Sequence, residues 1–337
     1  MSDITPVTRQ LRRAECAGKP ASDRQLIMKN QFIGHDRFLD ATKAVAKFHM
    51  PVKGGVPDFG SLFVLAGEPR TGKSYVLRRY AGQSPANVYG PEGVVRPVIY
   101  VDLPIACNKH GFVAALAEAL NVGDPSRMKT DALWGNVVNG LIRQQVNLII
   151  LDEVQEAFAS GRPGALKDCL GLIRKVLNLR TLNIVAAGLV DTYEIMAANT
   201  QLKGRGLLPY HLMQPYSWEN HQERQLFRLL CDAFDEELPF MIKSRLGTKW
   251  FAARLYWVTD GIIGLLHEFV YKAGCMALNE DADSVTVQHF ADAWDLIRPV
   301  AVSFNPFRDD LDQAPQRPVP TQPTLQPKDP FREAFVK

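Results

Sequence analysis

Paired cysteines are missing from this sequence. The five present, Cys16, Cys107, Cys169, Cys231 and Cys275, are scattered, and no two have C-x-x-C spacing, which removes the common zinc and dithiol redox motifs from consideration. An odd set of isolated cysteines fits a reducing compartment, where each serves as a small apolar side chain. Long apolar runs are missing too: none approaches the roughly 18 residues needed to span a bilayer. The opening "MSDITPVTRQLRRAECAGKP" carries basic residues with no apolar block behind them, so it lacks the form of a secretory signal. The expectation is a cytoplasmic protein with no membrane partner. Net charge is scarce as well. Lys and Arg number 39 against 36 Asp and Glu, leaving +3, so an argument for nucleic-acid binding must rest on local placement.

What is present is ample material for a core. The 337 residues are 46% hydrophobic and 22% charged, the balance of a globular protein of one large domain or two ordinary ones. Residues 1–28 are polar and mixed, and read as a flexible arm ordered only against a partner. "FLDATKAVAKFHM" has helical spacing through Phe38, Ala41, Val45 and Phe48. A Gly/Pro-rich break then delivers the chain into "SLFVLAG", the first of five short apolar strands. "PVIYVDL", "NLIILDE", "TLNIVAAG" and "YHLMQ" follow, separated by helix-like segments such as "FVAALAEAL" and "GALKDCLGLIRKVLNLR". Continuous apolar strands alternating with helices predict a parallel sheet covered on both faces: an α/β domain over residues 29–216.

From Ser217 the strand signal fades into four helical segments, a helical lid subdomain over residues 217–302, with Ser217 and Thr286 standing where N-caps would. Residues 303–337 are proline-rich and read as an extended, disordered tail. The tail contains an echo, "NPFR" at 305–308 and "DPFR" at 329–332, either a coincidence of four residues or a pair of tethered docking motifs.

"LAGEPRTGKSY" carries the clearest chemistry. Gly67, Gly72, Lys73 and Ser74 fit G-x-x-x-x-G-K-[ST] between a strand and a helix. Backbone N–H groups from Gly67, Glu68, Pro69, Arg70, Thr71, Gly72, Lys73, Ser74 and Tyr75, where each has one, would wrap the phosphates of ATP, and the helix start adds partial positive charge. Lys73 would reach the β- and γ-phosphates, and Ser74 would hold Mg²⁺. The strand "LIILDE" ends in Asp152, the second Mg²⁺ residue, and Glu153, a carboxylate able to orient and deprotonate an attacking water. Glu153 could instead simply end the strand in solvent.

Two carboxylates at a strand end, a fourth and fifth strand and then a helical subdomain is the layout of AAA+ ATPases. Between about Phe32 and Leu278 the chain resembles the TniB/TnsC-type transposition ATPases, through "NQFIGHDRFLDATKAVAKF", "RPVIYVDLP", "LIILDEVQEAFASG", "LNIVAAGLVDTY", "NTQLKGRGLLPYHLMQPYSW" and "FDEELPF". The "DEVQ" continuation and the Q-L-x-x-R segment are the specific parts. The resemblance implies that an arginine in that segment acts across a subunit boundary. Gln201, Leu202 and Arg205 match, making Arg205 the candidate arginine finger, with Lys203 the competitor in the same loop.

The resemblance further implies sequence-nonspecific double-stranded DNA inside a ring or helical filament of identical subunits, with a transposase and a target-selection protein, in some elements CRISPR-associated, as partners. Candidate DNA contacts lie after the second strand: Asn108, Lys109 and His110 in one loop, Ser126, Arg127, Lys129 and Thr130 in another. Two departures from the family pattern point to slow hydrolysis. The fourth strand ends in Ala187, Gly188 and Leu189, with only Asn183 and Asp191 polar nearby. The lid helix after "TDGIIG" offers Leu265, Leu266 and His267 in place of a basic residue. The functional expectation is an ATP-dependent DNA-binding regulator of transposition. The alternatives are an initiator- or secretion-type AAA+ ATPase loading another machine, and a nucleotide-gated scaffold that barely hydrolyses ATP.

Overall fold

Strand segments built almost wholly from Val, Ile, Leu, Phe and Ala leave no face for water, and the structure buries both faces of the three interior strands while the two edge strands are partly exposed. The computed structural model describes residues 6–83, 87–90, 93–158, 164–199, 202 and 208–315. Strands β1 (Leu62–Gly67), β4 (Val98–Asp102), β5 (Leu148–Asp152), β6 (Asn183–Gly188) and β7 (Tyr210–Met213) form one sheet in the order β4-β5-β6-β1-β7. Every pairing is parallel, with Phe63 opposite Val185 and Asp102 opposite Asp152. This is the expected five-stranded parallel sheet. A separate hairpin, β2 (Val88–Gly90) with β3 (Gly93–Val95), lies outside it.

Alternate residues face opposite layers, as a two-residue period requires. Val64, Ile99, Ile149 and Ile184 pack on one side against α5 (Lys109–Leu120), α6 (Thr130–Arg143) and α8 (Ala165–Leu177). Phe63, Leu65, Ile150 and Val185 pack on the other against α3 (Asp36–His49) and α4 (Lys73–Gln83). Phe38, Ala41 and Val45 of α3 are buried as their spacing predicts. Two short helices, α7 (Gln155–Phe158) and α9 (Val190–Ala198), follow β5 and β6.

The lid comprises α10 (His221–Glu237), α11 (Lys249–Thr259), α12 (Ile263–Asn279) and α13 (Val287–Ile297) around its own apolar core. Thr286 caps α13 in a reciprocal capping box with His289. Ser217 is not a cap. Asn220 caps α10, its side-chain oxygen accepting from the N–H groups of Gln222 (2.9 Å) and Glu223 (3.2 Å).

Both ends of the described chain differ from the sequence expectation. Residues 6–29, expected as a flexible arm, form α1 (Pro6–Ala17) and α2 (Ala21–Lys29) and dock on the lid of the same chain. The buried Arg13 donates to the carbonyls of Asp235 and Phe240, and Arg24 donates to that of Pro239. Met28 enters the lid core against Gly274, where a Cβ would lie 2.5 Å from its sulfur. Polar composition had concealed one buried methionine and a set of arginines that cap carbonyls. Residues 303–315 likewise leave the expected extended tail. Phe307 is buried among Phe251, Phe269 and Phe290, while Asn305 donates to the carbonyl of Ala291 (2.9 Å) and to Asp295 (3.1 Å). The second echo, 329–332, lies outside the described residues. Among the described residues no single helix is long and apolar enough to cross a membrane.

Candidate nucleotide site

The strand β1, interior in the sheet between β6 and β7, runs out into the glycine-rich loop at its carboxyl end, where open parallel sheets bind ligands. Gly67 has no room for a side chain: a Cβ would overlap the carbonyl oxygen of Met213 on β7. Gly72 has φ +98°, a conformation L side chains rarely adopt. Thr71 pins the turn by donating to the carbonyl of Glu68 (2.8 Å). Lys73, buried at the start of α4, donates to the carbonyls of Gly67 (2.9 Å) and Glu68 (2.8 Å). Burial lowers the pKa of this ammonium, against the upward pull of Glu153, Asp152 and Glu68. A cation held, among the described residues, by two backbone carbonyls is available to phosphate oxygens. Ser74 sits half-buried in the same first turn.

Asp152 is buried at the end of β5 and both its oxygens are engaged. One accepts from the N–H of Glu153 (2.9 Å) and the other from the hydroxyl of Tyr100. Tyr100 accepts in turn from Arg78 (3.0 Å), which also pairs with Asp102 (3.1 Å). Burial first, then the Asp152 carboxylate, drives the phenol pKa well above its ordinary value, so the tyrosine remains a donor. Glu153 has φ 55°, which turns the chain sharply after the strand, and its carboxylate accepts from the side-chain amide of Gln155.

Beside the loop lies a cavity of about 380 Å³ that the sequence did not reveal. Its walls come from three distant segments: Phe32, Ile33 and His35 ahead of α3; Gly72 of the loop and Tyr75 of α4; Ile263 and His267 of the lid. Phe32 and Tyr75 stack with centroids 5.4 Å apart. A flat, mostly apolar slot of this size next to a phosphate cradle has the shape and chemistry for a nucleoside base. The lid touches the loop directly. Gly264 donates its N–H to the carbonyl of Arg70 (3.0 Å), and Arg70 pairs with Glu268, which Lys272 also holds (2.9 Å).

The remaining sequence candidates separate into three groups. Asn183 lies at the far end of β6, accepting from the N–H of Ser61 (3.0 Å), and Asp191 is exposed, so neither occupies the carboxyl end of that strand. His267 packs against α2, its ring 3.1 Å from the carbonyl of Met28. Gln201, Lys203 and Arg205 lie outside the described residues, and Leu202 between them is buried.

The DNA candidates form one patch. His110 joins its two halves, contacting Thr130 (3.0 Å) and the carbonyl of Pro125 (3.2 Å). Thr130 opens α6 rather than belonging to a loop, and Asn108 spends its side-chain oxygen capping α5. Lys109 is loosely paired with Asp131 (3.7 Å) and Arg127 with Asp124 (3.2 Å), all of them exposed or nearly so, while Lys129 makes no ion pair among the described residues.

Comparison with known proteins places these features in context. The model of a family described as bacterial TniB protein matches residues 25–213. No curated protein matches closely enough to count as a relative. Among solved structures, Cdc6p from Pyrobaculum aerophilum is similar with a TM-score of 0.56 at 13% identity, over 80% of this chain and 70% of that one. The ORC2 protein of Aeropyrum pernix, solved in ADPNP–ADP complexes, gives 0.58 at 14% identity over 82% and 72%. The ORC1 protein of the same organism, solved in complex with DNA, gives 0.53 at 17% identity over 81% and 69%. At such identities the likeness concerns the fold, which is that of the AAA+ proteins.

Proposed function

The chain belongs to the bacterial TniB family, and from that premise we propose that it is an ATP-dependent regulator of DNA transposition that assembles on target DNA. The observation that carries this reading is the convergence, at one end of the sheet, of a phosphate loop with a buried lysine, an Asp152–Glu153 pair and a base-sized cavity closed by the lid.

In this reading the triphosphate takes Lys73 from the carbonyls of Gly67 and Glu68, and the base enters between Phe32, Tyr75 and Ile263. A hydroxyl and a single carboxylate, Ser74 and Asp152, suit Mg²⁺, which completes its shell with water and phosphate oxygens. The cation supplies charge neutralisation on the phosphates. Glu153 aligns a water and receives its proton as the water oxygen bonds to the γ-phosphorus and the bond to the β–γ bridging oxygen breaks. Arg205 of a neighbouring copy stabilises the charge developing on the transferred group, so that hydrolysis depends on assembly.

DNA is held through its phosphates by Lys109, Arg127, Lys129 and Thr130, with Asn108 reduced to capping the helix that presents Lys109. One such patch is weak, but repeated along a filament it gives salt-sensitive, sequence-independent binding. The assembly then recruits the transposase and meets the target-selection protein, and hydrolysis limits its lifetime. Electron microscopy of the full chain with double-stranded DNA, with and without ATP, and of Glu153→Gln, tests this. Rings or filaments that need ATP and last longer in the variant are expected. Particles that ignore DNA in every nucleotide condition would sink the reading.

A further inference from the structure

Glu153 is held by a residue to which no role has yet been given, and that residue is left incomplete. Gln155 donates its side-chain N–H to the Glu153 carboxylate, while its own buried carbonyl oxygen has no hydrogen-bond partner among the described residues. A second orphan faces it. Thr192, fully buried in the first turn of α9, has a hydroxyl with no partner among the described residues. Both oxygens converge on Gly188, the last residue of β6. A Cβ there would overlap the Thr192 hydroxyl and lie 2.8 Å from the Gln155 oxygen.

One orphan can donate and the other can only accept. Buried and complementary, they are each costly while apart. The turn that carries Gln155 is fixed: Val154 donates to the carbonyl of Ala187 (2.9 Å) and Glu156 to that of Glu153 (2.9 Å). The freedom to close the gap therefore belongs to α9 and to side-chain rotation. The absence of a side chain at Gly188, which otherwise leaves β6 without a polar terminus, is what keeps the space between them open.

Resting on the reading of Glu153 as the group that aligns water, we propose that Gln155 is its positioning residue and that Thr192 completes the device when nucleotide is bound. In the loaded site the Thr192 hydroxyl donates to the Gln155 oxygen, which fixes the amide, and the fixed amide fixes the carboxylate. The polar contact missing from the end of β6 is thereby supplied one helical turn later.

The test uses the full chain, its ATP hydrolysis on DNA, and its thermal melting with and without a non-hydrolysable ATP analogue. Without nucleotide, Thr192→Val melts no lower than wild type, because it removes a hydroxyl that has no partner. With the analogue it is stabilised less than wild type and binds the analogue about five-fold more weakly, the loss of one hydrogen bond made only in the loaded state. Its kcat falls, and Thr192→Ser restores binding and rate.

Gln155→Ala lowers kcat about ten-fold, the scale of one hydrogen bond to a charged group. It leaves the KM for ATP unchanged, since the amide touches the Glu153 carboxylate and not the nucleotide. Wild-type behaviour of Thr192→Val with the analogue, or a Gln155→Ala rate equal to or above wild type, overturns the proposal. Hydrolysis undiminished in Glu153→Gln would overturn the underlying reading of the site as well. Loss in Glu153→Gln with none in the other variants refutes only the present inference.

Discussion

Replacing Phe307 by alanine removes a ring that is 5% exposed and packed against three others, with centroid distances of 6.0 Å to Phe251, 5.7 Å to Phe269 and 5.5 Å to Phe290. Those three come from α11, α12 and α13, so the hole opens where the lid helices meet. A buried Phe→Ala substitution costs about 3–5 kcal/mol through lost transfer energy and the cavity left behind. That is a large share of the 5–15 kcal/mol typical of a whole domain. Arg308 provides the contrast. It pairs with Asp292 (2.5 Å) and Asp295 but is 44% exposed, so Arg308→Ala should cost under about 1 kcal/mol. Asn305→Asp falls between, because it sets a carboxylate against the carbonyl of Ala291 and the carboxylate of Asp295 where an amide now donates to both. Urea denaturation of the full-length chain, followed by tryptophan fluorescence, reads all three, since Trp250, Trp257 and Trp294 lie in the lid. The order Phe307, Asn305, Arg308 is required. Equal, small effects would refute the claim that residues 303–315 are part of the lid's fold. The Asn305 result also bears on the echo, since the second copy begins with Asp329 and this socket is built for the amide.

Three further outcomes follow from the site. Gly264→Val places a side chain 2.7 Å from the carbonyl of Arg70; it holds the lid off the loop and weakens binding of a fluorescent ATP analogue at least several-fold, measured by titration. Phe32→Ala removes the ring that stacks on Tyr75 and receives Arg79 at 4.0 Å, and it weakens ATP and ADP equally, because both carry the base; a loss confined to ATP would contradict placing the base there. His35, surrounded by Asp36, Arg37 and Tyr216, has its pKa pushed down to about 4, chiefly by burial. Because the folded value is below the unfolded one, its contribution is complete above about pH 6.5 and is lost as pH falls toward 4, at most about 3 kcal/mol. His35→Asn keeps an acceptor for the N–H of Phe38 and should flatten the denaturation midpoint over that window.

The sheet was legible because its strands are uninterrupted apolar runs between glycine and proline, a pattern few other arrangements tolerate. The loop was legible because Gly67, Gly72 and Lys73 are each required by local geometry and leave a fixed spacing. The base cavity was not, since Phe32, Tyr75 and Ile263 become neighbours only after the lid folds back over α4. The ends misled for a related reason. Segments 6–29 and 303–315 look solvated by composition, yet Met28 and Phe307 each carry their segment into the lid core, and Arg13, Arg24 and Asn305 donate to backbone carbonyls of the lid. Thr192 escaped notice because a hydroxyl one turn into a helix gives no periodic signal, and only its burial beside Gly188 sets it apart.

The way these segments meet bears on how nucleotide could control assembly. The stretch from α2 to α3 has one end in the lid core, through Met28, and the other in the sheet core, through Phe38, and between them Phe32 and His35 line the cavity. Tyr216, where the sheet domain passes into the lid, donates to Asp36 at the start of α3, and its N–H donates to the carbonyl of Gly261 (3.1 Å) at the start of the lid's second half. Filling the cavity therefore presses on a segment anchored in both domains and on the lid helix that contacts Arg70. A ligand that binds one lid position better than another shifts the lid by that difference in affinity. The segments α1, α2 and 303–315 are packed on the lid. In the proposed assembly, the surfaces they would offer a neighbouring subunit are expected to follow the nucleotide, without contact between that subunit and the phosphate loop. Cleaving the α2–α3 segment at an engineered protease site after Gln31, with both halves still docked, should leave DNA binding at low salt intact and abolish its dependence on ATP; retained ATP dependence would place the coupling in the Gly264–Arg70 contact alone.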